Sequence, residues 1–362
     1  MGDVLHLFFR FNAKAMKQLH NKVDKTILKQ QILSDTRDRK TLSFYVYHQL
    51  PNPQFFRDHF YLLLSECEVL GRIYVAKEGV NGQMSVPADR VDDFTEAMRS
   101  ITFLEQIRLN FAIEDDGKSF FKLAIKVKDK IVADGLQDGT FDVTDRGVHL
   151  NAEGFNTLVN AKNTIVVDMR NHYESEVGKF KQAITPDVET FKEALPLVEA
   201  MLEDKKDHNI IMYCTGGIRC EKASAYYKHK GFNNVYQLEG GIIEYARQAK
   251  EQGIENHFIG KNFVFDERLG ERISEDIISN CHQCGKPSDI HRNCSNDACH
   301  ILFIQCEDCA AEYDQTCSTK CKDFNALPAE ERAKLKLTSE FNGTKFGKGR
   351  YKAARNAELD KT

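Results

Sequence analysis

Hydrophobic and polar positions alternate over residues 42–47, 71–76 and 82–86, the period of strands with one buried face. Apolar positions over 53–67 and 88–101 recur instead at helical spacing. With strands also expected near 107–111 and 121–127, residues 41–132 read β-α-β-β-α-β, the ferredoxin-like order. The string Glu78-Gly79-Val80-Asn81-Gly82 is read as a hairpin turn whose glycines need positive φ, or alternatively as a substrate edge. Beyond residue 148 the pattern changes. Apolar runs at Thr164–Asp168, Asn209–Tyr213 and Asn234–Leu238 alternate with helical stretches at 153–160, 186–194 and 196–204. Such alternation implies a parallel sheet, and ligands bind outside the carboxyl ends of its strands.

The intervening residues 133–147 hold three glycines and four aspartates and read as a linker. Residues 1–40 form an N-terminal arm with helical composition over 13–33. Lys and Arg outnumber acids nine to three from Arg332 to Thr362, a net +6, interleaved with Phe341, Phe346, Tyr351 and glycines. That mixture is expected of a flexible RNA-gripping tail, with a plain solvated terminus as the alternative. A second basic surface is expected on the first domain from Arg72, Lys77, Lys118, Lys122, Lys126 and Lys128 beside Phe120 and Phe121.

The 362 residues, 41% hydrophobic and 29% charged, suffice for two or three domains with proper cores. No run approaches a membrane span, and the opening residues lack a signal-peptide pattern, so a cytoplasmic protein with no membrane partner is expected. The net charge of −4 argues against indiscriminate nucleic-acid binding, and no DNA partner is expected.

Eight of the eleven cysteines crowd into one stretch: Cys281, Cys284, Cys294, Cys299, Cys306, Cys309, Cys317 and Cys321. Eight thiols suffice for two tetrahedral zinc sites of four cysteines each, with His291 and His300 as possible replacements. Disulfides are the rival outcome. Spacing does not say which cysteines share an ion, but four thiolates per ion leave no open position, so the zinc is expected to be structural.

The candidate chemistry lies at the end of one strand, in Cys214-Thr215-Gly216-Gly217-Ile218-Arg219-Cys220. The two glycines let successive N–H groups turn inward, and the helix that follows adds partial positive charge. Cys214 is placed at the rim of this cradle, and Arg219 supplies a fixed cation. A thiol in such surroundings falls from about 8.5 to roughly 3.5–7.5. Asp168 and Arg170 end a second strand, where Asp168 is read as holding the loop by hydrogen bonds rather than as an acid. Cys220 either packs as a small hydrophobe or resolves an oxidised or persulfidated Cys214. No Gly-x-Gly-x-x-Gly follows a strand, so no nucleotide cofactor is recognised.

The string Cys-x-x-Gly-x-Arg resembles the active-site loop of rhodanese-type sulfurtransferase domains. Asp168-Met169-Arg170, Glu174 and Gly178 resemble the rhodanese D-x-R…E…G pattern, and Leu238-Glu239-Gly240-Gly241 its last strand and glycine turn. The longer strings from Tyr213 to Lys222 and Gln237 to Ile242 are similar to the rhodanese-containing tRNA uridine hydroxylases. Pattern and composition, with the resemblance for the acylphosphatase-like and rhodanese domains, divide the chain into six segments. They are an arm at 1–40, a ferredoxin-like (acylphosphatase-like) α+β domain at 41–132, a linker at 133–147, a rhodanese α/β domain at 148–250, a cysteine-rich zinc module at 251–325 and a basic tail at 326–362.

The resemblance further implies oxygen-dependent hydroxylation of the wobble uridine of a tRNA anticodon stem-loop to 5-hydroxyuridine. Cys214 aligns with the family's reactive cysteine, molecular oxygen is the co-substrate, and the electron donor is not identified by the sequence. Two other classes fit some of the residues. A sulfurtransferase carrying a Cys214 persulfide suits the loop, and a non-catalytic zinc-stabilised RNA-binding adaptor suits the flanking segments.

Overall fold

The computed structural model describes residue 19 and residues 23–137, 139–336, 338–341, 343 and 351. Most of the arm and much of the tail, including Phe346, lie outside these residues. Two units emerge, one of residues 1–109 and 115–131, the other of residues 110–114 and 132–362.

In the first unit, helix α1 (Lys25–Ser34) starts where the Asp24 side chain accepts from Thr26 N at 2.8 Å. Then come β1 (Arg39–Tyr47), α2 (Pro53–Glu66), β2 (Leu70–Ala76), β3 (Gly79–Pro87), α3 (Val91–Arg99) and β4 (Leu123–Val127). β1 and β2 flank β3 in antiparallel pairing, and β4 joins the free edge of β2 in parallel. Alternate residues Leu42, Phe44, Ile73, Val75, Val80 and Met84 form one buried face with Phe60, Leu64, Phe94 and Met98 of the helices.

The glycine expectation holds at only one of the two positions. Gly79 has φ +146, and a Cβ there would lie 2.0 Å from Val46 O. Gly82 instead sits within β3 without a positive φ. It is needed for space, because a Cβ would meet Phe44 Cε1 at 2.7 Å and Met84 Cε at 2.8 Å.

The expected basic face is also partly committed. Lys118 Nζ is spent on the carbonyls of Ile32 and Asp35, at 2.7 and 2.5 Å, Phe120 is buried, and Arg72 is bonded to Gln83.

The second unit contains β5 (Val148–Leu150), α4 (Ala152–Val159), β6 (Thr164–Asp168), α5 (His172–Ser175), β7 (Gly178–Phe180) and α6 (Phe191–Met201). It continues through β8 (Asn209–Tyr213), α7 (Ile218–His229), β9 (Asn234–Leu238) and α8 (Gly241–Gln252). The strands form a parallel sheet in the order β5-β9-β8-β6. Both faces are covered, which is why Ile210 to Tyr213 reads as an unbroken apolar run. Ile210 and Met212 pack with Leu195, Val198, Ala223 and Tyr227, while Ile211 and Tyr213 pack with Phe155, Ile242 and Tyr245.

The two helices expected at 186–194 and 196–204 are a single helix. It begins after Thr190, whose side chain caps it, and runs through Pro196. Pro196 is exposed, as is Lys192, the residue whose carbonyl loses its helical bond to the proline. The expected linker lies against α7: Asp134 and Lys222, each 2% exposed, form an ion pair at 2.5 Å.

The chain then enters β10 (Phe258–Asn262), which pairs antiparallel with β7 and with β11 (Glu271–Arg272). A final module holds the hairpin β12 (His291–Asn293) and β13 (Leu302–Ile304). Helices α9 (Glu307–Glu312), α10 (Thr319–Ala326) and α11 (Ala329–Leu335) complete it. Two tail aromatics expected to grip RNA are used inside this module. Phe341 is buried edge-on against Phe324, and Tyr351 stacks on Phe303.

Candidate active site and metal clusters

β8 ends at Tyr213 and α7 begins at Ile218, so Cys214, Thr215, Gly216 and Gly217 make the turn between them. Gly217 takes φ +97 at the helix N-cap, and its N–H points to Cys214 Sγ at 3.2 Å. The Cys214 and Thr215 carbonyls accept from the N–H groups of Ile242 and Ile243 at the start of α8, at 3.0 and 3.3 Å. The turn is therefore held between the N-termini of two helices.

Cys214 does not stand at the rim. Its fractional exposure is 0%: the loop amides turn toward the sulfur, and the side chain packs in the cluster of Val167, Met169, Ala223 and Tyr227. Burial pushes the thiol up. Hydrogen bonding from the Cys220 thiol, the Arg219 charge and the backbone N–H groups of Arg219 and Cys220 outweigh it and bring the thiol down to about 6. Cys220 moves the other way. Burial and its hydrogen bond to Cys214 hold it well above the ordinary thiol range. It packs in the same apolar cluster as Cys214, Ala223 and Tyr227.

The Arg219 guanidinium is not aimed freely at the sulfur. It forms two hydrogen bonds with the Glu174 carboxylate, Nη1 to Oε1 at 2.6 Å and Nη2 to Oε2 at 2.7 Å. Burial opposes ionisation of both groups, and their mutual attraction overrides it, raising the arginine and lowering the glutamate. Thr215 Oγ1 donates to the same carboxylate at 3.3 Å. Glu174 stands in the first turn of α5, where it closes a capping box with Asn171.

Asp168 and Arg170 form a fully buried pair with Nη2 to Oδ2 at 2.6 Å and Nε to Oδ1 at 2.9 Å. Tyr213 OH donates to Asp168 at 2.7 Å, and Arg170 donates to Gly178 O at 2.6 Å. Each carboxylate oxygen thus has donors, which suits a group that ties β6 to β8 and β7.

The sequence reading gave no role to Glu174, although it falls in the D-x-R…E…G string. Phe263 and Phe265, in the otherwise charged stretch 259–268, carry no motif that points to the site either. In the structure the Arg219 guanidinium lies 5.9 Å from the Phe265 ring centre, and Phe263 O lies 3.5 Å from Thr215 Oγ1. Two aromatics in a polar stretch were the available signal.

The eight module cysteines fall into two interleaved sets: Cys281, Cys284, Cys306 and Cys309; and Cys294, Cys299, Cys317 and Cys321. The sulfurs of each set lie within 4.8 Å of one another. Sγ–Sγ separations of 3.6 Å for Cys284–Cys306 and Cys299–Cys317, and 3.8 Å for Cys317–Cys321, exceed the ~2.05 Å of a disulfide. They match the edge of a tetrahedron with metal–sulfur bonds of about 2.3 Å. The donor set therefore fits a four-thiolate ion in each position. His291 and His300 belong to neither set. Cys317 N, Gly343 N and Asn296 Nδ2 point to the sulfurs of Cys294, Cys299 and Cys321 at 3.3–3.4 Å, the surrounding bonds that orient metal ligands.

Residues 39–131 match the UPF0176 acylphosphatase like domain, residues 151–248 the Rhodanese-like domain and residues 259–322 the Rhodanase C-terminal family. Fold and site thus define a rhodanese-containing protein with an N-terminal acylphosphatase-like domain and a C-terminal cysteine cluster able to bind metal. Proteins named tRNA uridine(34) hydroxylase from Pectobacterium carotovorum and Yersinia pestis are each 54% identical to it over 332 residues, 91% of this chain and 93% of theirs. The chain belongs to the tRNA uridine(34) hydroxylase family, a family of enzymes.

Among solved structures, the rhodanese-like domain from Anabaena sp. is 18% identical with a TM-score of 0.26, covering 31% of this chain and 78% of that one. A single domain sulfurtransferase from Saccharomyces cerevisiae is 21% identical with a TM-score of 0.26, covering 31% and 98%. Among the described residues no helix is long and apolar enough to cross a membrane.

Proposed function

We propose that this protein hydroxylates the wobble uridine of tRNA to 5-hydroxyuridine, with Cys214 as the working sulfur. The observation that carries the reading is the 54% identity, over nine-tenths of the chain, to proteins named for that reaction. The loop geometry supports the role of Cys214, because a thiol brought down to about 6 is mostly thiolate at neutral pH. Molecular oxygen supplies the new hydroxyl oxygen. A two-electron reductant and two protons carry its second atom to water.

The thiolate adds to C6 of the ring and enriches C5 in electrons, or else it carries the activated oxygen as its own oxidised form. Both routes need an ionised sulfur, which Arg219 and the loop amides stabilise. Because Cys214 is buried, the loop must open before an extruded base reaches it. An anticodon base is single-stranded, so extrusion costs little. The two cysteine sets hold zinc structurally, with no open position for water or oxygen.

Nucleosides from a strain lacking the protein decide the matter by mass spectrometry. Missing 5-hydroxyuridine that wild type restores and Cys214→Ala does not is the expected result. Missing thiolated base would make the protein a sulfurtransferase, and no change in either would make it an RNA-binding adaptor.

A further inference from the structure

Two of the contacts that join the cysteine-rich module to the turn that carries Glu174 close no metal site and bear on that turn directly. The first runs through His282, which lies between Cys281 and Cys284 of the first set. His282 Nδ1 accepts from Ile304 N at 3.3 Å, so the proton of the neutral ring belongs on Nε2. Nε2 then donates to Glu176 Oε1 at 2.8 Å. The ring is further fixed by its own backbone N–H on Ile304 O at 2.9 Å and by Tyr351 stacked at 5.0 Å. Glu176 is the residue that ends α5, its N–H bonded to His172 O at 2.9 Å. Two residues earlier in that turn stands Glu174, which grips Arg219.

The second contact is Phe263. Its ring lies edge-on between Tyr173 of α5, at 5.2 Å, and His291 of the module, at 5.1 Å. Its carbonyl lies 3.5 Å from Thr215 Oγ1 in the sulfur loop. A single turn of helix has little stability of its own, so its position is set by what grips it. The capping box holds the front of α5, and the module holds its end and one flank.

We propose that His282 and Glu176 are positioning residues through which the metal-loaded module fixes α5, keeps Arg219 facing the sulfur loop and so governs the reactivity of Cys214. The proposal rests on the reading of Cys214 as the working sulfur and of the clusters as zinc sites. It makes metal occupancy a control on a sulfur in another part of the unit.

Charge and position predict opposite effects at Glu176, which makes the test clean. Removing a nearby carboxylate by itself favours the thiolate, whereas loosening α5 disfavours it. The measurement is the rate of iodoacetamide alkylation of Cys214, read from its own peptide by mass spectrometry, in the zinc-loaded full chain between pH 5.5 and 9. Glu176→Ala should slow alkylation at pH 5.5 by about threefold, the fall expected for an upward shift of half a unit. Glu176→Gln, equally uncharged but still able to accept from Nε2–H, should alkylate at the wild-type rate or faster.

Stripping zinc with a chelator should bring wild type down to the Glu176→Ala rate. Equal rates for Glu176→Ala and Glu176→Gln, or a stripped wild type as fast as the loaded one, would overturn the proposal. A loaded wild type whose Cys214 titrates like an ordinary thiol would sink the functional reading as well as this one.

Discussion

Arg219 and Glu174 meet through two hydrogen bonds of 2.6 and 2.7 Å across 45 residues of sequence, inside the second unit and beneath the sulfur loop. A buried pair of this kind is costly to break from one side, because the survivor keeps its desolvation penalty without its partner. Glu174→Ala is therefore expected to lose about 3–5 kcal/mol in urea unfolding. The double variant Glu174→Leu with Arg219→Met should recover most of that loss, since apolar replacement of both partners removes the penalty. Its Cys214 should nevertheless alkylate only at higher pH, the Arg219 charge being gone. Recovery of stability together with an unchanged alkylation profile would show that the pair serves folding alone.

The loop itself was legible because its parts are contiguous. Cys214, Gly216, Gly217 and Arg219 lie within six positions, and a strand and a helix flank them. Glu174 was quoted in a motif yet had no visible role, because an ion pair closed by the fold leaves no mark on spacing. The same holds for the cysteine sets. The sequence orders them as near-neighbour pairs, while the structure joins the first pair with the third and the second with the fourth. Burial of Cys214 was not legible either. Cys214 packs in a cluster with Val167, Met169, Val188 and Phe191, residues that only the fold brings to the loop.

The two thiols of the loop should give stability an optimum in pH. Cys214 is depressed to about 6 in the folded state, against about 8.5 unfolded. Between these values the unfolded chain binds more protons, so stability rises with pH by roughly 3 kcal/mol at most and is lost as pH falls toward 6. Cys220 is raised instead, and its contribution is present below about 8.5 and lost above. Urea midpoints of zinc-loaded protein from pH 5.5 to 10 should therefore rise and then fall. Cys214→Ala should flatten the rising limb and Cys220→Ala the falling one. A rising limb that survives in Cys214→Ala would place its origin elsewhere.

The two cysteine sets should release metal at different rates. Cys284 is exposed and Cys306 half-buried in the first, whereas all four sulfurs of the second are buried. A chelator reaches exposed thiolates first, so a zinc-loaded chain should lose its ions in two phases of similar amplitude. Cys284→Ser should remove the fast phase and one ion, and Cys321→Ser the slow phase and the other. Loss of both ions from either variant in a single phase would mean that the sets are not independent. In the Cys321→Ser protein the packing of Phe341 on Phe324 should loosen, and protease should cut the tail sooner.

Gly241 separates the loop's geometry from the general cost of strained backbone. It has φ +67, and a Cβ there would lie 2.5 Å from Cys214 O and 2.6 Å from Thr215 O. These are backbone atoms of the turn and cannot swing aside as a side chain end would. Gly253, at the other end of α8, has φ +63 and nothing within 4 Å of the same added atom. Both alanine variants bear the left-handed strain of roughly 1 kcal/mol. Only Gly241→Ala displaces the carbonyls through which α8 holds the loop. Gly253→Ala should alkylate at Cys214 as wild type does. Gly241→Ala should show a higher midpoint and lower hydroxyuridine formation while its far-ultraviolet dichroism stays unchanged. Equal behaviour of the two variants would mean that α8 backs the loop without setting the ionisation of its sulfur.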